Sequence, residues 1–244
     1  MPTPIKVAGT VSEIVEHAAD LRSFVIKPER RIPSFIPGQF LHLALDAYEP
    51  GSHWPDSRVF SIASSPTERQ SVRITISRQG EFTSRMFAEM RQGSRVWLKL
   101  PYGTFCPNAE LDGRMVMLAG GSGITPFVSF LEWAASAQPN AAVDLHYGAR
   151  TPDLLIYRAT IERCQAAGLR NLRARYYAEQ TKPGESDSGL IQGRLSASTV
   201  WSGLEQPKAC RYYLSGPRAM IDTFRAQLHE LGASPESVLS DDWS

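Results

Sequence analysis

The chain has 244 residues, of which 42% are hydrophobic and 21% are charged, and its formal net charge is +1. This length suits one large domain or two ordinary ones, each with a substantial core. The balanced charge argues against nucleic acid as a partner. Because no apolar leader and no membrane-length apolar run occurs, we expect a cytoplasmic protein without a membrane span.

The cysteines and histidines do not predict a metal site. Cys106, Cys164 and Cys210 lie far apart, and the five histidines show no paired metal-ligand spacing. They therefore indicate neither a disulfide framework nor a zinc or iron–sulfur centre. We expect no metal.

The first hundred residues have the pattern of short strands separated by glycine and proline. The predicted strands mix β-branched and polar residues and are Ile5–Val15, Leu21–Lys27, Gln39–Leu45, Val72–Ser77 and Arg95–Leu100. Such a pattern is typical of an antiparallel barrel or sandwich. One helix is predicted over Ser84–Arg91, with Met86, Phe87 and Met90 on one face.

The pattern changes near Phe105–Gly113, where we place the boundary between a domain of residues 1–108 and a domain of residues 109–244. Predicted strands then alternate with predicted helices. The strands are Met115–Ala119, Ala142–Tyr147, Leu172–Tyr177 and Arg211–Leu214, and the helices are Pro126–Ala137, Tyr157–Ala167 and Arg218–Leu231. This alternation predicts a parallel sheet covered on both faces. The polar stretch Lys182–Ser188 is predicted to be a loop.

A glycine-rich turn joins the first strand of the second domain to its first helix. The turn consists of Gly120, Gly121, Ser122, Gly123, Ile124, Thr125 and Pro126. Thr125 is predicted as the N-cap, and Pro126 suits the first helical position. Backbone amides and the helix dipole at such a junction suit a phosphate group. The spacing departs from G-x-G-x-x-G, so a turn without a ligand also fits.

Seven short motifs follow one another along the chain. They are Ile36–Phe40, Arg58–Ser61, Gly80–Thr83, Leu100–Phe105, Gly120–Pro126, Tyr212–Pro217 with Met220, and Asp241–Trp243. Together and in this order they resemble the motifs of the ferredoxin–NADP(+) reductase superfamily of flavoproteins. The resemblance implies an N-terminal antiparallel β-barrel that binds FAD and a C-terminal α/β domain with a parallel sheet that binds NAD(P).

The resemblance implies a flavin site in the barrel. Its residues would be Arg58, Val59, Phe60, Ser61, Ile76, Ser77, Gly80, Phe82, Thr83 and Ser84. Arg58 offers a guanidinium fork for a diphosphate, and Phe60, which replaces the tyrosine usual in the family, can stack on a flat ring. Phe60 equally fits a barrel-core position, and Thr83 or Ser84 equally fits a plain N-cap.

The resemblance also implies a nicotinamide-nucleotide site. Beyond the glycine turn it would include Glu179, Ser215, Gly216, Pro217 and Met220. Trp243 would cover one face of the flavin ring, and the catalytic residues would be Ser61, Ser215, Asp241 and Trp243. Ser215 stands where cysteine is usual, and Asp241 replaces a longer glutamate. An acidic Glu179 favours NADH, although Arg150, Arg173 and Arg175 leave NADPH open.

The expected function is transfer of hydride from NAD(P)H to bound FAD. Because no clustered cysteines are present, electrons would pass to a separate acceptor such as a ferredoxin, a flavodoxin or an oxygenase component. An NAD(P)H:flavin reductase or diaphorase that uses free flavin is one alternative. A non-catalytic docking subunit is the other.

Overall fold

The structure, a computed structural model, describes residues 3–181 and 189–241. The chain divides into two compact units, Met1–Cys106 and Pro107–Ser244. The predicted loop Lys182–Ser188 and the predicted site residue Trp243 lie outside the described residues.

The first unit is an antiparallel sheet that nearly closes into a barrel, as predicted, but it has six strands because the sequence pattern did not predict the strand Ser57–Ser61. Its elements are β1 (Ile5–Ala18), β2 (Leu21–Pro28), β3 (Phe40–Ala44), β4 (Ser57–Ser61), β5 (Val72–Ser77), helix α1 (Glu81–Glu89) and β6 (Arg95–Tyr102). The strand order is β4-β3-β6-β1-β2-β5. Just after β4, the Ala63 amide donates to the Arg73 carbonyl of β5 at 2.7 Å, which draws the two edge strands together.

The barrel core is built from the inward-facing residues of the alternating strands. Phe24, Leu41 and Ile74 come from three different strands and are fully buried. Helix α1 packs against this core through the predicted face, which includes Met86 and Phe87. The strands and the helix therefore share one hydrophobic core.

Helix α1 begins three residues earlier than predicted. Its N-cap is Gly80, so the prediction of Thr83 or Ser84 as N-cap is wrong. Thr83 lies in the first turn instead, and its hydroxyl accepts hydrogen bonds from the amides of Gln79 and Gly80 at 2.9 and 3.0 Å. A side chain three residues inside the helix thus satisfies the backbone that precedes it, as in the reciprocal half of a capping box.

The second unit is a six-stranded parallel sheet, as predicted. Its elements are α2 (Ala109–Asp112), β7 (Arg114–Gly120), α3 (Thr125–Ala137), β8 (Ala142–Ala149), α4 (Arg158–Ala166), β9 (Leu172–Ala178), β10 (Leu190–Gln192), α5 (Ala197–Ser202), β11 (Arg211–Ser215), α6 (Arg218–Glu230) and β12 (Val238–Ser240). The strand order is β10-β9-β8-β7-β11-β12. The sequence pattern does not predict the short elements α2, β10, α5 and β12.

The sheet of the second unit is buried on both of its faces. Val116 and Leu118 of β7 pack in one cluster with residues of α5 and α6. The intervening residues Met115 and Met117, which point to the other face, are also fully buried. A central parallel strand buried in this way explains the unbroken apolar run of β7. No helix within residues 3–181 and 189–241 is long and apolar enough to cross a membrane.

Candidate functional site

Two of the predicted flavin motifs meet on the surface of the barrel unit. Arg58, on edge strand β4, is exposed, and its guanidinium carbon lies 5.1 Å from the centre of the Phe82 ring in α1. Its Nη1 donates to Asp56 Oδ1 at 2.7 Å and to the Ser57 carbonyl at 2.9 Å. Most of the five guanidinium N–H groups remain available to an anionic ligand.

The first turn of α1 lies beside this arginine. The amides of Glu81, Phe82 and Thr83 cannot find acceptors within their own helix. A Cβ added at Gly80 would have no atom within 4 Å, so the approach to these amides is open. Open amides at a helix N-terminus next to an arginine suit a diphosphate.

The side chains of several other predicted flavin residues pack in or against the barrel core. The side chains of Ile76 and Phe82 are buried in the core, and Phe60 is half-buried and packs against it. Ser61 lies at the end of β4 opposite Phe40, and Ser84 is exposed on α1. Ile76 can therefore face a ligand only through its backbone.

The motif Ile36–Phe40, which contains Pro37, Gly38 and Gln39, fixes the conformation of a loop in the same unit. Gly38 has φ +93°, and a Cβ there would lie 1.9 Å from the carbonyl oxygen of Phe105. The buried Gln39 side chain accepts from the Ile36 amide at 2.9 Å and donates to the Gly103 carbonyl at 3.2 Å. This motif is structural, because it fastens one loop to the last residues of the barrel.

The glycine-rich turn of the second unit has the predicted strand-to-helix path with one difference. A 3₁₀ turn over Gly121–Ile124 leads directly into α3, so helical geometry begins before Thr125. Thr125 is the first residue of α3 and not its N-cap, and its hydroxyl donates to the Ser122 carbonyl at 3.0 Å. The amides of Gly121, Ser122 and Gly123 therefore form the start of the helical segment.

The glycines of this turn pack against the second nucleotide motif. A Cβ on Gly123 would lie 2.4 Å from the Gly216 nitrogen, and a Cβ on Gly120 would lie 2.7 Å from Met220 Sδ. Gly216, with φ +152°, has equally little space. Two motifs almost a hundred residues apart in the sequence are thus held in contact, and glycine is required at position 123, where the obstructing atoms are backbone, and at position 216, where φ is positive.

Gly121 differs from its neighbours. It has φ +53°, and a Cβ there would meet nothing within 4 Å. Its backbone conformation favours glycine, while the space over it is open. A ligand can therefore approach the amides at the carboxyl end of β7, which is where α/β sheets bind nucleotides.

Ser215 and Asp241 lie together at the same edge of the sheet. β12 runs parallel to β11, so Asp241 follows directly after a strand beside the one that Ser215 ends. Ser215 is 2% exposed, and its hydroxyl donates to Asp241 Oδ2 at 3.2 Å. Two predicted catalytic residues are therefore brought into contact.

Glu179 lies just beyond the carboxyl end of β9, where it was expected to meet a ribose. It pairs with Arg194, with 3.1 Å between Oε1 and Nε. The sequence pattern does not indicate Arg194, because this residue follows the three-residue strand β10, which is too short to show a periodicity. Arg173 and Arg175, considered above for a 2′-phosphate, line a cavity with Arg114 instead, whereas Arg150 follows the end of β8.

Comparisons with known proteins agree with this organisation. Residues 117–226 match the family described as oxidoreductase NAD-binding domain. The ferredoxin reductase component of the 3-ketosteroid-9-alpha-monooxygenase from Mycolicibacterium smegmatis is 32% identical over 93% of this chain and 63% of its own length. The flavohemoprotein of Bacillus subtilis is 24% identical over 90% of this chain and 54% of its own length.

A solved structure extends the comparison to both units. A ferredoxin NADP+ reductase from Neisseria gonorrhoeae, with bound FAD and NADP, has the same fold, with a TM-score of 0.76 at 22% identity over 97% of this chain and 98% of that one. The chain spans only 54 to 63% of the first curated relatives. The comparisons therefore show an oxidoreductase NAD-binding domain over residues 117–226 and, for both units, the fold of that reductase.

Proposed function

We propose that the chain is a flavoprotein oxidoreductase that binds FAD on the barrel unit and NAD(P)H on the α/β unit, and that it passes electrons to a separate acceptor. FAD accepts a hydride from nicotinamide and can release electrons one at a time, which is the chemistry that the cofactor supplies. The role of the protein is to bind and orient the two cofactors.

The observation that carries the proposal is the contact between Arg58 and Phe82. It joins two flavin motifs that are separated in the sequence, and it places a guanidinium beside the open first turn of α1. Charge and backbone donors at one spot fit the diphosphate of FAD. The remaining flavin residues, including Ser61 and Ser77, are assigned by the resemblance.

The α/β unit supplies the features needed for the nucleotide. The open amides at Gly121 suit the pyrophosphate of NAD(P)H. A carboxylate at Glu179 can accept from a ribose 2′-hydroxyl and repels a 2′-phosphate, so we assign NADH as the preferred donor. The exposed Arg194 beside it offers the opposite charge, so we expect weaker but measurable use of NADPH.

The acceptor is assigned by class. Relatives are named as ferredoxin reductase components of 3-ketosteroid-9-alpha-monooxygenase and as the ferredoxin–NAD(+) reductase component of an alkene monooxygenase system. These names support a ferredoxin or an oxygenase component as the electron acceptor of this chain. The cytoplasmic location expected from the sequence belongs to the same proposal.

The test is an assay of electron transfer with and without added flavin. The protein is loaded with FAD, passed through a desalting column, and assayed for NADH-dependent reduction of ferricyanide and of a [2Fe–2S] ferredoxin. Retained flavin and turnover with both acceptors support the proposal. Loss of flavin on the column, with activity only when free flavin is added, would favour a flavin reductase, and no activity under either condition would favour a docking subunit.

A further inference from the structure

A charged cavity lies in the α/β unit at the edge of the sheet where the strands begin. Its volume is about 250 Å³. Its charged lining residues are Arg114, Asp144, Arg173, Arg175 and Glu205. None of them has a role in the proposed electron transfer.

The cavity is remote from the proposed nucleotide turn. Arg114 is the first residue of β7, and Gly120 is the last. At about 3.3 Å per residue, the strand separates these two positions by about 20 Å. A ligand in the cavity therefore occupies a separate site from NAD(P)H.

A buried carboxylate holds one wall of the cavity in place. Asp144 is 1% exposed, and its Oδ2 accepts a hydrogen bond from Arg114 Nη1. This contact fixes the direction of the Arg114 guanidinium and offsets the charge of the carboxylate. Since a guanidinium carries five N–H groups, Arg114 keeps donors for a second partner.

Two further guanidinium groups have no such partner. Arg173 and Arg175 are two residues apart on β9, so both side chains point to the same face of the sheet. Neither makes a hydrogen bond or an ion pair with any residue in the described parts of the chain. Three arginines against the two carboxylates of Asp144 and Glu205 leave one net positive charge on the lining.

We propose that this cavity binds a small phosphate-bearing ligand through Arg114, Arg173 and Arg175. Guanidinium groups bind phosphate oxygens with paired, charge-assisted hydrogen bonds. The cavity is smaller than the roughly 300–1,000 Å³ of sites for drug-sized ligands. It therefore suits inorganic phosphate or a small phosphate monoester and excludes a dinucleotide.

The test is calorimetric titration at constant ionic strength, in the absence of NADH, with inorganic phosphate in one arm and glycerol 3-phosphate in the other. Wild type is compared with the double variant Arg173→Met/Arg175→Met, in which the Arg114–Asp144 contact is untouched. The matched control is Arg170→Met, an exposed arginine just before β9 that does not line the cavity.

We expect saturable binding to wild type and to Arg170→Met, and affinity weaker by about tenfold or more in the double variant, because charge-assisted hydrogen bonds are lost. Whichever of inorganic phosphate and glycerol 3-phosphate binds more tightly shows whether the cavity takes the free ion or a phosphate monoester. Absence of saturation in both arms, or equal affinity of wild type and double variant, would overturn the proposal. NADH affinity, measured alongside, stays the same in all three proteins, which separates this site from the proposed reductase function.

Discussion

The hydroxyl of Ser215 donates a hydrogen bond to the carboxylate of Asp241, with 3.2 Å between Oγ and Oδ2. The contact joins residues 26 positions apart, and it depends on the parallel pairing of β11 with β12. Ser215 is almost completely buried, so its hydroxyl has a defined direction. We interpret Asp241 as the residue that orients Ser215 at the edge of the sheet where the nicotinamide is proposed to bind.

If Asp241 acts through Ser215, their substitutions will not have independent effects. Ser215→Ala and Asp241→Asn are each expected to lower the rate of flavin reduction by NADH about tenfold, since the first removes the hydrogen bond and the second removes the charge of its acceptor. The double variant is expected to resemble either single one. The measurement is stopped-flow absorbance under anaerobic conditions, with flavin content as the control for folding. If the fold reduction in rate of the double variant equals the product of the two single reductions, the two residues act separately.

Arg58 is predicted to bind the flavin diphosphate. Arg58→Ala should weaken FAD binding about tenfold or more, because it removes charge-assisted hydrogen bonds. Arg85→Ala is the matched control, since Arg85 is an arginine of neighbouring helix α1 whose guanidinium is bound to Asp46 and Glu89. Titration of each apoprotein with FAD, followed by quenching of flavin fluorescence, gives the affinities. An equal loss of FAD affinity in both variants would contradict a specific role of Arg58 in binding the flavin diphosphate.

Gly121 is predicted to matter for the nucleotide more than for the fold. Gly121→Ala should destabilise the protein by about 1 kcal/mol, because an L-residue is strained at positive φ, and it should also weaken NADH binding. Gly113→Ala is the control at the opposite end of β7, where φ is +60° and the space is again open. That variant should lose stability but keep its NADH affinity. An unchanged NADH affinity in Gly121→Ala would contradict the proposed site.

His146 is predicted to make stability depend on pH. Burial, and secondarily the charge of Arg175, lower its pKa from 6.5 to about 4. Between these values the unfolded chain binds more protons than the folded one, so the free energy of unfolding rises with pH and this contribution is complete above about pH 6.5. The full shift corresponds to about 3 kcal/mol.

The measurement is urea unfolding at several pH values between 4 and 7 for wild type and His146→Gln. The glutamine can keep a hydrogen bond to the Tyr177 hydroxyl, which lies 2.9 Å from His146 Nδ1. The variant should show a flatter dependence on pH across this window. An identical slope in both proteins would mean that His146 does not carry the effect.

The long elements of this fold were predictable because their patterns extend over many residues. β7 is an unbroken apolar run, and α6 begins and ends within a residue of its predicted bounds. β10 and β12 have only three residues each, which is too short for periodicity to identify them. The predicted start of α1 is wrong because a glycine N-cap has no side chain to indicate it. The hydroxyl residues Thr83 and Ser84 are typical N-caps, so the prediction placed the start there.

The site was predictable as single positions but not as contacts. The motifs indicated Arg58, Glu179 and Ser215 from local patterns. The partners Phe82 and Arg194 are set by how the strands and helix are arranged, which no local pattern reports. For the same reason the sequence offers Arg173 as a partner for a 2′-phosphate near Glu179, although about 20 Å of strand β9 separates the two positions.

The central claim is that this chain binds FAD and reduces it with NAD(P)H. The most direct measurement is the visible absorption spectrum of the purified protein loaded with FAD, followed by anaerobic titration with NADH and, separately, with NADPH. The account predicts a bound flavin whose absorption is bleached by a near-stoichiometric amount of NADH, with a larger amount of NADPH required. A protein that stays colourless after incubation with FAD, or a bound flavin that neither nucleotide bleaches, would contradict it.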